Sequence, residues 1–173
     1  RIDRQITRNK IRALISEVRE GPYPRVKFIH GNLFPNEMVQ IYRDEKIHCL
    51  LSLTRGEGFG LPLLEASACE LPVIATNWSA HLDFLKIGKF IPVDYKLSEI
   101  PSSRIDNRIF VPGTKWAEPL EADFKRKVVK IRHKYDMPKK WASDLSSKVR
   151  DQFSSTSIRN QYDKILEKIL ESG

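Results

Sequence analysis

The strongest constraint on the fold is a pair of short apolar runs, residues 47–53 and 71–76, separated by a glycine-rich turn and a helical segment. Both runs have the length of strands, and neither alternates regularly with polar residues, which is typical of strands buried on both faces of a parallel sheet. Shorter strands are predicted at residues 25–30 and 90–93. Because strands and helical segments alternate through this region, we predict an α/β fold with a Rossmann-like parallel sheet covered by helices.

The helical segments follow from apolar residues at helical spacing, and the chain between residues 94 and 120 is predicted to be irregular. The predicted helices are residues 2–20, 35–43, 61–69, 79–85, 121–135, 138–153 and 157–170. A chain of 173 residues has the size of one domain. We therefore predict a single domain over residues 1–173, with a helical C-terminal portion at residues 121–173.

The net charge of +8 indicates an anionic partner, without separating nucleotide phosphates, acidic lipid headgroups and nucleic acid. No helix-turn-helix, zinc-finger or aromatic RNA-binding signature accompanies the charge, so we predict no nucleic-acid partner. The four histidines, with Cys49 and Cys69, do not take a metal-ligand spacing, so no metal site is predicted. No apolar run approaches the ~20 residues of a membrane-spanning helix.

The glycine-rich turn carries Gly56, Gly58 and Gly60, and Pro62 stands in the first turn of the helix that follows. In an open parallel sheet, ligands bind beyond the carboxyl ends of the strands. A helix that begins there presents free N–H groups and a partial positive charge, and glycines allow the backbone to approach a ligand closely. The turn is therefore suited to an anionic, hydroxyl-rich ligand.

Two carboxylates frame this turn, Glu57 within it and Glu65 inside the helix. A carboxylate accepts pairs of hydrogen bonds, which suits the vicinal hydroxyls of a ribose or a hexose. The alternative is that the glycines serve only the turn and that Glu65 is an ordinary helix charge, and glycine spacing alone does not decide between these interpretations.

The residues around this turn resemble the C-terminal domain of retaining GT-B glycosyltransferases, the group 1 glycosyltransferases. The resemblance is carried by residues 57–66 (EGFGLPLLEA), with two glutamates separated by seven residues, and it continues through residues 69–76 and 26–31. Residues 154–170 resemble the closing helices of that domain. The chain departs from the family at Glu70, where glycine is usual, and at residues 79–80, where Ser-Ala replaces a common Gly-Gly pair.

The resemblance implies a role for each residue of the site. Glu57 is the predicted catalytic residue and orients the donor sugar, together with the backbone of Gly58, Phe59 and Gly60. The amide of Leu61 faces the diphosphate. Glu65 binds the ribose hydroxyls. Near the base, the resemblance implies contacts from Gly31, Asn32 and Leu33.

The resemblance also implies the setting of the activity. The donor is a nucleotide-diphosphate sugar, transfer is hexosyltransferase-like and retains the anomeric configuration, and no cofactor is needed. An N-terminal acceptor domain and an Arg/Lys loop that grips the diphosphate precede the segment seen here, so we expect a truncated donor domain that is inactive alone. The expected location is cytoplasmic, at or near the inner face of a membrane, in the synthesis of surface polysaccharide or glycolipid.

Two further features have alternative interpretations. Residues 124–141 are rich in Lys and Arg, which indicates either a solvated helix face, the interpretation we favour, or a non-catalytic module that binds an acidic membrane or a nucleotide. For His81, a phosphate contact and an ordinary surface or capping role are both open, and we favour the second. His30 and His48 lie in apolar segments and are predicted to be buried.

Overall fold

In the computed structural model, which describes residues 2–171, the chain forms two compact units that divide between Pro35 and Asn36. The N-terminal unit contains helix α1 (Ile2–Val18), which confirms the predicted helix, and then irregular chain. The strand predicted at residues 25–30 does not form. A strand depends on the hydrogen bonds of a neighbouring strand, and within the described residues this segment pairs with none.

The C-terminal unit contains the sheet and the remaining helices. Its elements, in chain order, are α2 (Pro35–Arg43), β1 (Leu50–Ser52), α3 (Leu61–Ala68), β2 (Val73–Thr76), α4 (Leu82–Leu85), β3 (Ile91–Val93), β4 (Tyr95–Glu99), a 3-10 turn (Ser102–Arg104), β5 (Lys115–Pro119), α5 (Glu121–His133), α6 (Asp136–Phe153) and α7 (Ser155–Glu171).

The sheet is parallel and has the strand order β1–β2–β3. Leu51 pairs with Ile74, and Ile74 pairs with Ile91, so the three strands run in register across the sheet. Every residue of β2 is buried, as the apolar run predicts for a central strand. The carboxyl ends of β1 and β2 therefore lie side by side and bring the loops that follow them to one edge of the sheet.

Helices cover both faces of this sheet. On one face, Val73 and Ala75 of β2 pack in a cluster with Leu63 of α3 and Leu145 of α6. On the other face, Ile74 and Val93 pack with Ile131 of α5. The predicted Rossmann-like α/β fold is confirmed for the C-terminal unit, and so are the three C-terminal helices within a few residues of their predicted ends.

Two further predictions about the strands are wrong. The run at 47–53 forms only the short strand β1, and Leu51 remains 48% exposed, so this strand is not buried on both faces. Residues 94–120 are not irregular, since β4 and β5 pair as an antiparallel hairpin with Leu97 opposite Ala117. The connecting loop is long, so this pairing leaves no local sequence signal.

Within residues 2–171, no helix combines the length and the apolar character needed to cross a bilayer.

Candidate functional site

The glycine turn joins the end of β1 to the start of α3. Gly60 precedes the helix, is buried, and has φ 87°, in the left-handed region that favours glycine. A Cβ atom at Gly60 would lie 2.9 Å from Leu63 Cδ1 and 3.1 Å from His81 Cβ. The turn can therefore enter α3 at this angle only because the residue has no side chain.

Glu57 lies in this turn, half-buried, with its Cγ 3.8 Å from the Cβ position at Gly60. Its backbone is held by Ser79, from the loop after β2. The Ser79 hydroxyl donates a hydrogen bond to the Glu57 carbonyl (2.7 Å) and accepts one from the Glu57 N–H (2.9 Å). The two loops at the carboxyl edge of the sheet are thus joined at the residue predicted to orient the donor sugar.

Phe59 anchors the turn to the core of the unit. Its ring lies 5.4 Å from that of Phe84 and 6.3 Å from that of Phe153, measured between ring centroids. The side chain thus packs against other aromatic rings, and the contact of the Phe59 backbone with a donor sugar stays a prediction.

Leu61 begins α3 and is exposed, and Glu65 follows it by one helical turn, on the same side of the helix. The hydroxyl of Tyr42, in α2, donates a hydrogen bond of 3.3 Å to Glu65 Oε2. Burial, with the charge of Glu65 and its hydrogen bond, raises the pKa of Tyr42 to about 12. Tyr42 therefore stays a donor and orients Oε2 of Glu65, while the contact of Glu65 with a ribose stays a prediction.

His81 does not have the surface or capping role predicted for it. It is fully buried, its side chain makes no cap, and its Nε2 lies 2.7 Å from the Thr76 carbonyl. Its Nδ1 is buried without a partner among the described residues. The Cβ of His81 lies 3.1 Å from the Cβ position at Gly60, so His81 packs closely against the turn. His30 and His48 are exposed, so the prediction that they are buried is also wrong.

The residues predicted to lie near the base are in the N-terminal unit. Gly31 has φ 138°, so the predicted turn is present there, with Gly31 and Asn32 exposed and Leu33 half-buried. Their contact with a nucleotide base stays a prediction.

The basic stretch at 124–141 is partly neutralised by acidic partners. Arg126 and Lys127 both form ion pairs with Asp123, at 2.5 Å each, and Lys125 pairs with Glu121 at 2.5 Å. These ion pairs reduce the net positive charge that residues 124–141 present to an anionic surface. Membrane binding by this stretch stays a prediction.

Both departures from the family pattern fall at residues with positive φ. Glu70 has φ 62° and Ser79 has φ 86°, a conformation that glycine adopts without strain and other residues rarely adopt. The backbone therefore keeps the conformation expected of glycine at these positions, while the side chains take new partners. Ser79 holds Glu57, and Glu70 forms an ion pair with Arg150.

The fold and this turn define a Rossmann-like α/β unit with a glycine turn suited to an anionic, hydroxyl-rich ligand. Among residues 2–171, no group of three or more His, Cys, Asp and Glu side chains is arranged to hold a metal ion. Residues 14–94, which include the glycine turn and both glutamates, match the family model of glycosyl transferases group 1. No curated protein and no solved structure matches the chain.

Proposed function

We propose that this chain binds a nucleotide-diphosphate sugar, as the donor-binding part of a retaining glycosyltransferase. The observation that carries the proposal is the glycine turn between β1 and α3, framed by Glu57 and Glu65 at the carboxyl edge of a parallel sheet. This is the edge at which open α/β sheets bind their ligands. The family match supports glycosyl transfer in general terms.

Each part of the donor meets a group of matching chemistry in this proposal. The Glu57 carboxylate accepts hydrogen bonds from the sugar hydroxyls. The backbone of Gly58, Phe59 and Gly60 supplies N–H donors and carbonyl acceptors to the same sugar. The amide of Leu61, at the positive end of the α3 dipole, faces the diphosphate. Glu65, oriented by Tyr42, accepts hydrogen bonds from the ribose hydroxyls.

The proposed reaction breaks the bond between the anomeric carbon and the diphosphate oxygen and forms a bond from that carbon to an acceptor oxygen, which loses its proton. The leaving diphosphate gains negative charge as the bond breaks. The N-terminus of α3 is a fixed dipole directed at that charge and stabilises it more in the transition state than in the ground state.

The proposal includes a separate N-terminal domain that holds the acceptor. Most of the rate enhancement of such a transfer comes from holding both substrates in the reacting geometry. We therefore propose that this chain alone binds the donor and transfers little sugar. We place the full activity in the cytoplasm, in surface polysaccharide or glycolipid synthesis.

Titration calorimetry with UDP, GDP and their sugar conjugates UDP-glucose and GDP-mannose tests this proposal on the wild type and on the variants Glu65→Ala and Glu57→Ala. We expect one nucleotide series to bind, and we expect Glu65→Ala to lower the affinity for the nucleoside diphosphate itself. We expect Glu57→Ala to weaken chiefly the sugar conjugate. If both variants bound donor as the wild type does, the assignment of the site would be wrong. Salt-sensitive binding to acidic vesicles without nucleotide affinity would instead support a membrane-binding module.

A further inference from the structure

The β4–β5 hairpin is attached to the glycine turn through Arg55. The Ala117 N–H donates to the Arg55 carbonyl at 3.3 Å, and the Arg55 guanidinium forms two hydrogen bonds with the Glu118 carboxylate, at 2.5 and 2.9 Å. The same guanidinium lies over the Trp116 ring, 4.6 Å from its centroid. These contacts fix the position of the hairpin beside Glu57.

A pocket of about 630 Å³ lies between the turn and the hairpin. This volume is in the ~300–1,000 Å³ range of small-molecule sites. Its polar lining residues include Glu57, Ser79, Arg55 and Lys115, while Trp78, Phe110 and Trp116 supply aromatic rings. The pocket is also lined by Thr54, whose hydroxyl is buried without a hydrogen-bond partner among the described residues.

This combination of groups matches the chemistry of a pyranose ring. The hydroxyls of a pyranose donate to carboxylates such as Glu57, while its C–H faces are apolar and pack against aromatic rings. A simple phosphate would gain nothing from the aromatic side, and a purely apolar ligand would leave the Glu57 carboxylate without partners.

The loop that carries Phe110 is held in place without any ligand. The Asp106 carboxylate accepts hydrogen bonds from the N–H groups of Arg108 (2.9 Å), Ile109 (2.9 Å) and Phe110 (3.0 Å). These hydrogen bonds stabilise the ionised carboxylate and lower the pKa of Asp106. The Phe110 ring is 36% exposed and packs edge-on against Trp116. The ring is therefore placed at the pocket before a ligand arrives, which reduces the entropic cost of binding.

The two sides of the pocket come from different parts of the sequence. Glu57 and Ser79 lie in the segment that matches the glycosyltransferase family, which ends at Asp94. The hairpin begins at the next residue, Tyr95. Two of the three aromatic rings, those of Phe110 and Trp116, are thus supplied by chain outside the matched segment, as expected of an element that distinguishes one substrate from another.

We infer that the β4–β5 hairpin is the sugar-selecting element of this protein, with Phe110 packed against the pyranose ring of the donor. The inference rests on the proposed function, because it takes the ligand beside Glu57 to be a donor sugar. It adds that the affinity for the sugar part depends on a residue outside the family-matched segment, while the affinity for the nucleotide part does not.

The test compares the dissociation constant of a nucleoside diphosphate with that of its sugar conjugate, using UDP with UDP-glucose and GDP with GDP-mannose. The variant is Phe110→Ala, and Phe110→Tyr retains the ring. The matched control is Val111→Ala, which removes the side chain of an exposed apolar neighbour that does not line the pocket. Circular dichroism checks that each variant is folded.

We expect Phe110→Ala to raise the dissociation constant of the sugar conjugate about 3- to 10-fold, which is the size of an aromatic packing contact. The dissociation constant of the nucleoside diphosphate should not change. Phe110→Tyr and Val111→Ala should bind both ligands as the wild type does. If the nucleoside diphosphate binds and Phe110→Ala leaves the ratio of the two dissociation constants unchanged, the inference is overturned and the proposed function stands. If the wild type binds no nucleotide, the proposed function fails and the inference fails with it.

Discussion

The Ser79 hydroxyl is bonded to both backbone polar groups of Glu57, at 2.7 Å from the carbonyl oxygen and 2.9 Å from the amide nitrogen. The two residues are 22 positions apart, and each follows a neighbouring strand of the sheet. To make this contact, Ser79 adopts φ 86°, a conformation that costs a non-glycine residue roughly 1–2 kcal/mol. The protein thus tolerates backbone strain at the loop that fixes its predicted catalytic residue.

Ser79→Ala and Ser79→Gly separate the two consequences of this arrangement. Both variants lose the hydrogen bonds to Glu57, so both should weaken binding of the sugar conjugate. Only glycine relieves the positive φ, so Ser79→Gly should be more stable to urea than Ser79→Ala by about 1 kcal/mol. Equal stability of the two variants, or sugar-conjugate binding equal to that of the wild type, would contradict this account.

Gly60→Ala should disrupt the turn, because the new Cβ meets Leu63 and His81 at 3.1 Å or less and the backbone has positive φ. We expect a loss of about 2–4 kcal/mol in the free energy of unfolding. Gly58→Ala is the matched control, since a Cβ there meets no atom within 4 Å and its φ is not in the left-handed region. Urea denaturation of both variants provides the comparison, and a Gly60→Ala protein as stable as Gly58→Ala would contradict the geometry.

At Glu70, the carboxylate forms an exposed ion pair with Arg150, and the backbone has φ 62°. Glu70→Ala loses the pair and keeps the strain, whereas Glu70→Gly loses the pair and relieves the strain. Because exposed pairs contribute little, we expect Glu70→Gly to be more stable than Glu70→Ala by about 1 kcal/mol. Thermal unfolding of the two variants measures this difference, and the reverse order would show that the strain is not present in solution.

Asp123 connects α5 to the junction of β3 and β4, since it accepts hydrogen bonds from the Asp94 N–H (2.8 Å) and from Lys127 (2.5 Å). Burial raises the pKa of Asp123, but the hydrogen bonds from Lys127 and Asp94 outweigh it, and the net pKa is lowered. A lowered folded-state pKa stabilises the fold above the unfolded value of ~3.9, and this stabilisation is lost as the pH falls through the folded value.

The variant Asp123→Asn should therefore be less stable than the wild type at pH 7, and the difference should shrink as the pH falls below about 4. Urea denaturation at pH 7, 5 and 3.5 measures it. The control is Glu121→Gln, at an exposed ion pair with Lys125 in the same helix turn, which should change stability little. A difference for Asp123→Asn that is constant across this pH range would contradict the assignment.

The glycine turn and the central strand could be predicted from sequence because their signals are local. Residues 71–76 form an uninterrupted apolar run, and Gly60 with Pro62 marks the start of α3. The burial of His81 could not be predicted, since it depends on the space beneath Gly60, which only the packed loops define. A polar residue after a strand reads as a surface residue until its tertiary neighbours are known.

The hairpin and the pocket could not be predicted from sequence for the same reason, because both depend on contacts between residues that are far apart in the chain. The pairing of Tyr95 with Pro119 closes a long loop, and the strands carry no strong alternation. Asp106 comes just before the three backbone N–H groups from which its carboxylate accepts hydrogen bonds. An aspartate in this position is typical of turns, and it is the one local sequence signal for an ordered loop here. In contrast, the roles of Tyr42 and Ser79 depend on contacts across 22 or more residues, and no sequence spacing reveals them.

The most direct test of the central claim is ligand-observed NMR with UDP and GDP on the wild type, on Glu65→Gln and on the control Glu167→Gln. Both substitutions exchange an exposed helical carboxylate for an amide of the same shape, and Glu167 lies in α7, away from the glycine turn in sequence. The account predicts a signal for one nucleotide series that Glu65→Gln reduces and Glu167→Gln retains. Equal signals from all three proteins would contradict the assignment of Glu65 to the ribose and, with it, the donor site at this turn.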